Sequence, residues 1–314
     1  MAPVPRIPAS LRHRPFSRRE ALAAGMTPRQ LDGKYLVKVF PQVYRCRDHV
    51  MTDADWILGA CLAVPDRAQL SHVSRLQSLG LDIGGVWPVH FTIAGDLHLD
   101  IDDVFLHRTE VLPPLDDVGV SAAAAFIQYC ATATLVDAIA AGDWLLHRRH
   151  MTVIEVGELS RRQEWRPGAR QVRRVLPLLD AGSMSLRESM VRVRVEFAGL
   201  PRPEVNVPIE IDGELIAVGD LLMRCVMLVL EYEGRQHAES AQQFNRDITR
   251  YAAFRRHAVE YVQITNEMLE RPKVMIRRVH ARMCELGYDG PAPVFGARWD
   301  SLSAPIRCVT TKGR

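Results

Sequence analysis

The stretch that most constrains how this chain can fold is Asp220-Leu-Leu-Met-Arg-Cys-Val-Met-Leu-Val-Leu-Glu231-Tyr-Glu233-Gly-Arg-Gln-His237. A short, apolar, partly β-branched run closing in Glu-x-Glu-Gly reads as a buried strand that delivers acidic side chains to a sheet edge or cleft. Carboxylates are costly there unless something offsets their charge.

If residues 214–222 and 226–233 pair as a hairpin turning at Arg224-Cys225, Asp220 faces Val229, and Glu231 stands two residues further along the same face. Such diagonal neighbours lie roughly 7–8 Å apart, close enough for both carboxylates to share one hard divalent cation. Glu233 follows with period two. Three converging carboxylates repel one another, which raises at least one pKa unless a cation neutralises them. An oxygen-only ligand set favours Mg²⁺ or Mn²⁺ over zinc.

Further residues stand in order around this run: Ser185-Leu-Arg-Glu188-Ser-Met-Val-Arg192, Gly199-Leu-Pro-Arg-Pro203, Asn206, His237 and Asp247-Ile-Thr-Arg250. Together with Asp220 and Glu231-Tyr-Glu-Gly they resemble the family called domain of unknown function 559. That family is similar to the very-short-patch repair endonucleases and has the PD-(D/E)XK nuclease-like fold. The resemblance covers roughly residues 183–288. It implies a metal-dependent phosphodiesterase site with Asp220 and Glu231 as metal ligands and Glu188 as the helix acid beside them. His237 would be the base or the leaving-group acid. Glu233 departs from the pattern, because the wider fold usually has Lys there. Arg235, Arg250 or the metal would then stabilise the transition-state charge. Glu188 also suits the first turn of a helix through Phe197 simply by opposing the helix dipole.

The amino-terminal part has its own signature. Ser17-Arg-Arg-Glu20 forms a capping box for a short helix stopped at Gly25, and Thr27-Pro28 starts a second helix towards Tyr35. Residues 36–45 then alternate like a β wing. This block resembles the winged helix-turn-helix of AbiEi-type antitoxins, which implies DNA as a partner and leaves room for a cognate toxin. Arg29, Gln30 and Lys34 are its candidate base or phosphate contacts. The competing reading is a protein-docking module with solvated charges.

Residues 53–80 predict two helices, with Trp56, Ile57, Ala60 and Val64 on one stripe. His72 is expected at a helix cap. Residues 86–112 read as strands in which His90, His98 and His107 serve packing, and 120–146 read as paired helices matching the middle of AbiEi-like proteins. Six arginines between residues 161 and 174 make 158–175 a basic helical stretch, a candidate phosphate-tracking surface.

Composition excludes more than it selects. A net charge of +3 over 314 residues does not advertise nucleic-acid binding, so any such surface is local. The six cysteines lack paired Cys-x-x-Cys spacing, which argues against a zinc ribbon. No apolar run approaches about 18 residues and no signal-peptide core stands at the amino terminus, so a soluble cytoplasmic protein is expected, with no membrane partner.

The expectation is therefore an α/β chain, α+β overall. Its parts are a disordered 1–15, a winged helix-turn-helix at 16–50, a connecting AbiEi-like α/β region at 51–157 and a basic linker helix at 158–182. A PD-(D/E)XK restriction-endonuclease-like domain at 183–288 and a tail at 289–314 complete it. The function expected is Mg²⁺-dependent DNA cleavage. The alternative is a catalytically inert DNA-binding regulator, an AbiEi-type antitoxin-like transcription factor.

Overall fold

The protein is described here by a computed structural model, which covers residues 7–211, 214–233, 252 and 254–306. The fold is mixed, α+β overall, in two compact units, Met1–Tyr129 and Cys130–Arg314. No helix among the described residues is long and apolar enough to cross a membrane.

In the first unit, the reciprocal Ser17–Glu20 cap starts α1 (Arg18–Ala23), and Gly25 in the left-handed region (φ 85°) ends it. Thr27 and Gln30 cap α2 (Pro28–Leu31) in the same way. The expected run towards Tyr35 is not made: α2 closes after one turn, where the Gly33 N–H donates to the Gln30 carbonyl. Glycine is a poor helix residue, and the chain leaves for a strand. Strands β1 (Phe16–Ser17), β2 (Leu36–Phe40) and β3 (Val43–Cys46) form an antiparallel sheet in the order β1-β3-β2, so the alternating stretch 36–45 is extended as expected. Phe16, Ala21, Met26, Leu31 and Leu36 form the core beneath it.

Helix α3 (Asp53–Ala63) follows, with Ile57 and Ala60 buried as their spacing predicts. Then come β4 (Gln69–Leu70), α4 (His72–Ser78), β5 (Val89–Ala94), β6 (Val104–Thr109) and α5 (Ala122–Cys130). The sheet order is β4-β5-β6, with β5 and β6 parallel. His98-Leu-Asp-Ile101, expected to be extended, belongs to no strand.

The second unit contains α6 (Leu135–His147), α7 (Val153–Arg162), α8 (Ala169–Val175) and α9 (Leu186–Phe197). The basic stretch is thus two helices, separated at Gly168 (φ 91°). Much of its charge is already paired, since Glu164 meets Arg170 and Arg173 while Glu158 meets Arg162.

Helix α6 packs on α9 through a wholly buried ion pair, Arg192 Nη2 to Asp143 Oδ2 at 2.8 Å. Arg192 also reaches Glu196 and the Leu178 carbonyl, and the Asp180 N–H donates to Asp143 at 2.7 Å. Burial pushes the Asp143 carboxyl up to about 6, against the pull of Arg192 and the Asp180 N–H. Arg192 and the Asp180 N–H are what favour its ionised form against that burial.

After α9 come β7 (Glu204–Ile211), β8 (Glu214–Met223), β9 (Leu228–Glu233), helical residues at 254–256 and β10 (Glu260–Thr265). Helices α10 (Asn266–Glu270), α11 (Pro272–Glu285) and α12 (Ala297–Asp300) complete the described chain. The sheet runs β10-β9-β8-β7, antiparallel from β7 to β9 and parallel between β9 and β10. Central β9 is buried from Leu228 to Glu231, which accounts for its unbroken apolar sequence.

Candidate active site

The turn between β8 and β9 corrects the expected register. Arg224–Val226 form a 3₁₀ turn and Met227 is left-handed (φ 51°), so four residues rather than two connect the strands. Leu222 then pairs with Val229 and Leu221 with Leu230, which sets Asp220 against Glu231 directly instead of against Val229. Arg224-Cys225 lacks the Gly or Asn that a two-residue turn requires, and the longer loop is the result.

The regular ladder stops at Leu221 and Leu230, and side chains take over from it. The Asp220 N–H donates to Glu231 Oε1 at 3.2 Å, and the Tyr232 N–H donates to Asp220 Oδ2 at 2.9 Å. Each carboxylate thus clasps the backbone of the other strand. Glu231 is wholly buried, while Asp220 is partly exposed.

Strand β8 is irregular at this point. A Cβ at Gly219 would lie 2.8 Å from Val229 Cγ1, and Leu222, three residues on, packs in the same cluster as Val229. Residues three apart cannot share a face of a regular strand, so the pleat breaks at Asp220. Across the sheet, Asn206 on β7 falls between the pairs Val205–Leu221 and Val207–Gly219 and is itself left-handed (φ 48°). Both strands leave standard geometry at one level. Local irregularities of this kind re-aim side chains.

Asn206 links that level to α9. Its Nδ2 donates to Glu188 Oε2 and to the Gly182 carbonyl, each at 2.8 Å. Ser185 caps the helix by accepting from the Glu188 N–H, and Glu188 Oε2 also accepts from the Met184 N–H at 3.0 Å. Glu188 therefore does two things: it closes the first turn of α9, and it is tied to the strand beside Asp220. Neighbouring Arg187 faces Tyr232, whose hydroxyl donates to Asn266 at 2.6 Å. Burial pushes that phenol up, with Arg187 and Asn266 pulling the other way.

Glu233 is exposed at the end of β9 and accepts from Gln263 Nε2 at 2.6 Å. Gln263 pairs in register with Glu231, so β10 contributes an amide to the acidic end of β9. His237, Arg235, Asp247 and Arg250 lie outside the described residues. Among the described residues no group of three or more His, Cys, Asp or Glu converges as a metal site would. The donors present are the carboxylates of Asp220 and Glu231, each held by the backbone of the other strand, hard oxygen ligands suited to Mg²⁺ or Mn²⁺ rather than to a thiophilic metal. Asn206, Gln263, Tyr232 and Arg187 are the site neighbours to which sequence reasoning gave no role. Asn206, Arg187 and Tyr232 stood within the motif series, whereas Gln263 carried no signal.

In the first unit, Arg29 and Lys34 are exposed. Gln30 differs: its side-chain carbonyl accepts from the Thr27 N–H at 2.6 Å, within the helix cap. His72, His90 and His107 form a stack, with the His72 and His107 ring centroids 3.6 Å apart and His90 Nδ1 2.9 Å from His107 Nε2. Burial depresses all three, His72 to about 2 and His107 to about 4, with neighbouring imidazoles adding to the effect on those two. Ser71 holds the cap position expected for His72, and His98 lies apart, near Asp96 and Arg108. His72, His90 and His107 are neutral packing groups at neutral pH, as the strand reading expects of His90 and His107.

No protein-family model matches the chain, and no curated protein matches it.

Proposed function

We propose that the second unit is a divalent-cation-dependent DNA endonuclease of the PD-(D/E)XK kind. The observation that carries this reading is the reciprocal clasp of Asp220 and Glu231 where β8 and β9 part. Support also comes from the order of elements, a helix, an antiparallel three-strand meander and a parallel fourth strand. Glu188 adjoins the same level through Asn206.

In this reading Asp220 and Glu231 hold the cation, which when bound polarises a phosphoryl oxygen and acidifies an attacking water. The backbone N–H groups of Asp220 and Tyr232 fix the two carboxylates before substrate arrives, so no reorganisation is needed at the moment of reaction. Asn206 holds Glu188 towards the scissile side. His237 remains the proposed proton carrier, and Arg235 and Arg250 the proposed phosphate contacts. The first unit, with Arg29 and Lys34 exposed, supplies DNA affinity.

A second reading is that of an inert DNA-binding regulator, which needs only the exposed charges of the first unit and no third metal ligand. Plasmid nicking in Mg²⁺ separates the two. The wild type nicks, while Asp220→Asn and Glu231→Gln each lose nicking and retain DNA binding. Equal nicking by all three proteins rules out the endonuclease reading, and no nicking by any of them favours the regulator.

A further inference from the structure

The first unit contains a cavity of about 570 Å³ that the proposed nuclease chemistry does not use. One wall is aromatic. Phe40, Trp56 and Trp87 stand with ring centroids 5.0–6.2 Å apart and planes inclined at 60–87°. Trp87 is 39% exposed, unusual for a tryptophan with two aromatic neighbours. Asp100, Ile101, Asp102 and Asp103, on the segment that enters β6, also line it.

These three carboxylates are exposed. Among the described residues none of them forms an ion pair, and the nearest basic groups in sequence, Arg108 and His98, turn to Asp96 instead. The rings touch one another, so an occupant meets them from the cavity, which Asp100, Asp102 and Asp103 also line.

We propose that this cavity binds a weakly hydrated organic cation, an alkylated ammonium or a guanidinium group. A hard metal ion or a bare ammonium is strongly hydrated and gives up more of that hydration to reach the rings. A diffuse cation sheds its water readily and is attracted to the negative face of a partly exposed tryptophan such as Trp87, while the aspartates supply the countercharge. The volume lies within the range of small-ligand sites, about 300–1,000 Å³, and leaves room for the rest of the molecule bearing the cation. Val39, Phe40 and Pro41 line the site from the end of β2, so an occupant touches the β2–β3 hairpin directly.

Choline chloride and L-argininamide are titrated into the full-length protein, followed by tryptophan fluorescence and calorimetry against sodium chloride of equal ionic strength. The uncharged isostere 3,3-dimethylbutan-1-ol is the control. Saturable binding of either cation is expected, about tenfold tighter than the neutral isostere. The triple variant Asp100→Asn/Asp102→Asn/Asp103→Asn, all exposed positions, keeps the wild-type unfolding midpoint and loses that preference, and Trp87→Ala weakens binding of both cations. Tighter binding of one cation over the other identifies the headgroup. Equal binding of choline and its neutral isostere, undiminished affinity in the triple variant, or no saturable response to either cation overturns the proposal.

Discussion

The pair Arg192–Asp143 yields the sharpest stability prediction, because both side chains have no exposure and the partners of each are known. Arg192→Met keeps an unbranched apolar stem in place and removes the guanidinium. Asp143 is then left in the core with the Asp180 N–H but no cation opposite. Its carboxyl, already raised by burial, is driven further towards the protonated form, and the pairing energy is lost. Breaking a buried ion pair from one side costs about 3–5 kcal/mol. Asp143→Leu strands Arg192 instead, at the lower end of that range, since Glu196 and the Leu178 carbonyl still accept from it. The double variant Asp143→Leu/Arg192→Met removes both charges together, and apolar replacements of buried pairs are often near neutral. It should therefore be at least about 2 kcal/mol more stable than the sum of the single losses implies. Urea unfolding of the four proteins, followed by circular dichroism, measures the cycle at pH 7. Additive losses, or single variants within about 1 kcal/mol of wild type, refute the account of how α9 is fixed on α6.

Four further outcomes are expected. His72 and His107 have folded values near 2 and 4, below the ordinary 6.5, so their contribution to stability is complete above pH 6.5 and is lost as the pH falls. At pH 5 the unfolded chain gains about 2 kcal/mol from His72 alone, and less from the more exposed His107; ring-proton NMR showing His72 titrating near 6.5 contradicts the packed stack. Gly219→Ala forces a methyl group to 2.8 Å from Val229 Cγ1 and 3.0 Å from Ile209 Cδ1. It should destabilise by about 1–3 kcal/mol in thermal unfolding, and an unchanged midpoint contradicts the pleat break at Asp220. Asn206→Ala removes the Glu188 tether and places alanine at a positive φ, so nicking should fall with Mg²⁺ dependence altered, whereas wild-type nicking would show that Glu188 needs no support from β7. Arg29→Ala should weaken DNA binding with a shallower salt dependence, and unchanged affinity at low salt would remove α2 from the DNA-binding surface.

Local chemistry wrote much of this fold into the sequence. The reciprocal cap Ser17–Glu20, the Ser185 cap of α9, and the unbroken apolar run of β9 each act over a few residues, so neighbouring letters suffice to read them. The face-to-face position of Asp220 and Glu231 was only half legible. Parity put both acids in reach of each other, but the length of the turn decided which residues meet. A turn without Gly, Pro or Asn is settled by how the strands pack, not by its own composition.

The remainder needed three dimensions. Nothing near Asn206 in sequence says that it joins Glu188 to the sheet, nothing near Asp143 announces Arg192 forty-nine positions later, and Gln263 reaches Glu233 only because β10 runs parallel to β9. Phe40, Trp56 and Trp87 likewise meet Asp100 and Asp103 only after two sheets and a helix have closed around them. The sequence by itself determined the elements and their caps, since these depend on short-range sterics and hydrogen bonding. Tertiary structure decided which charges share a space, because desolvation and pairing depend on what the rest of the chain brings to that point.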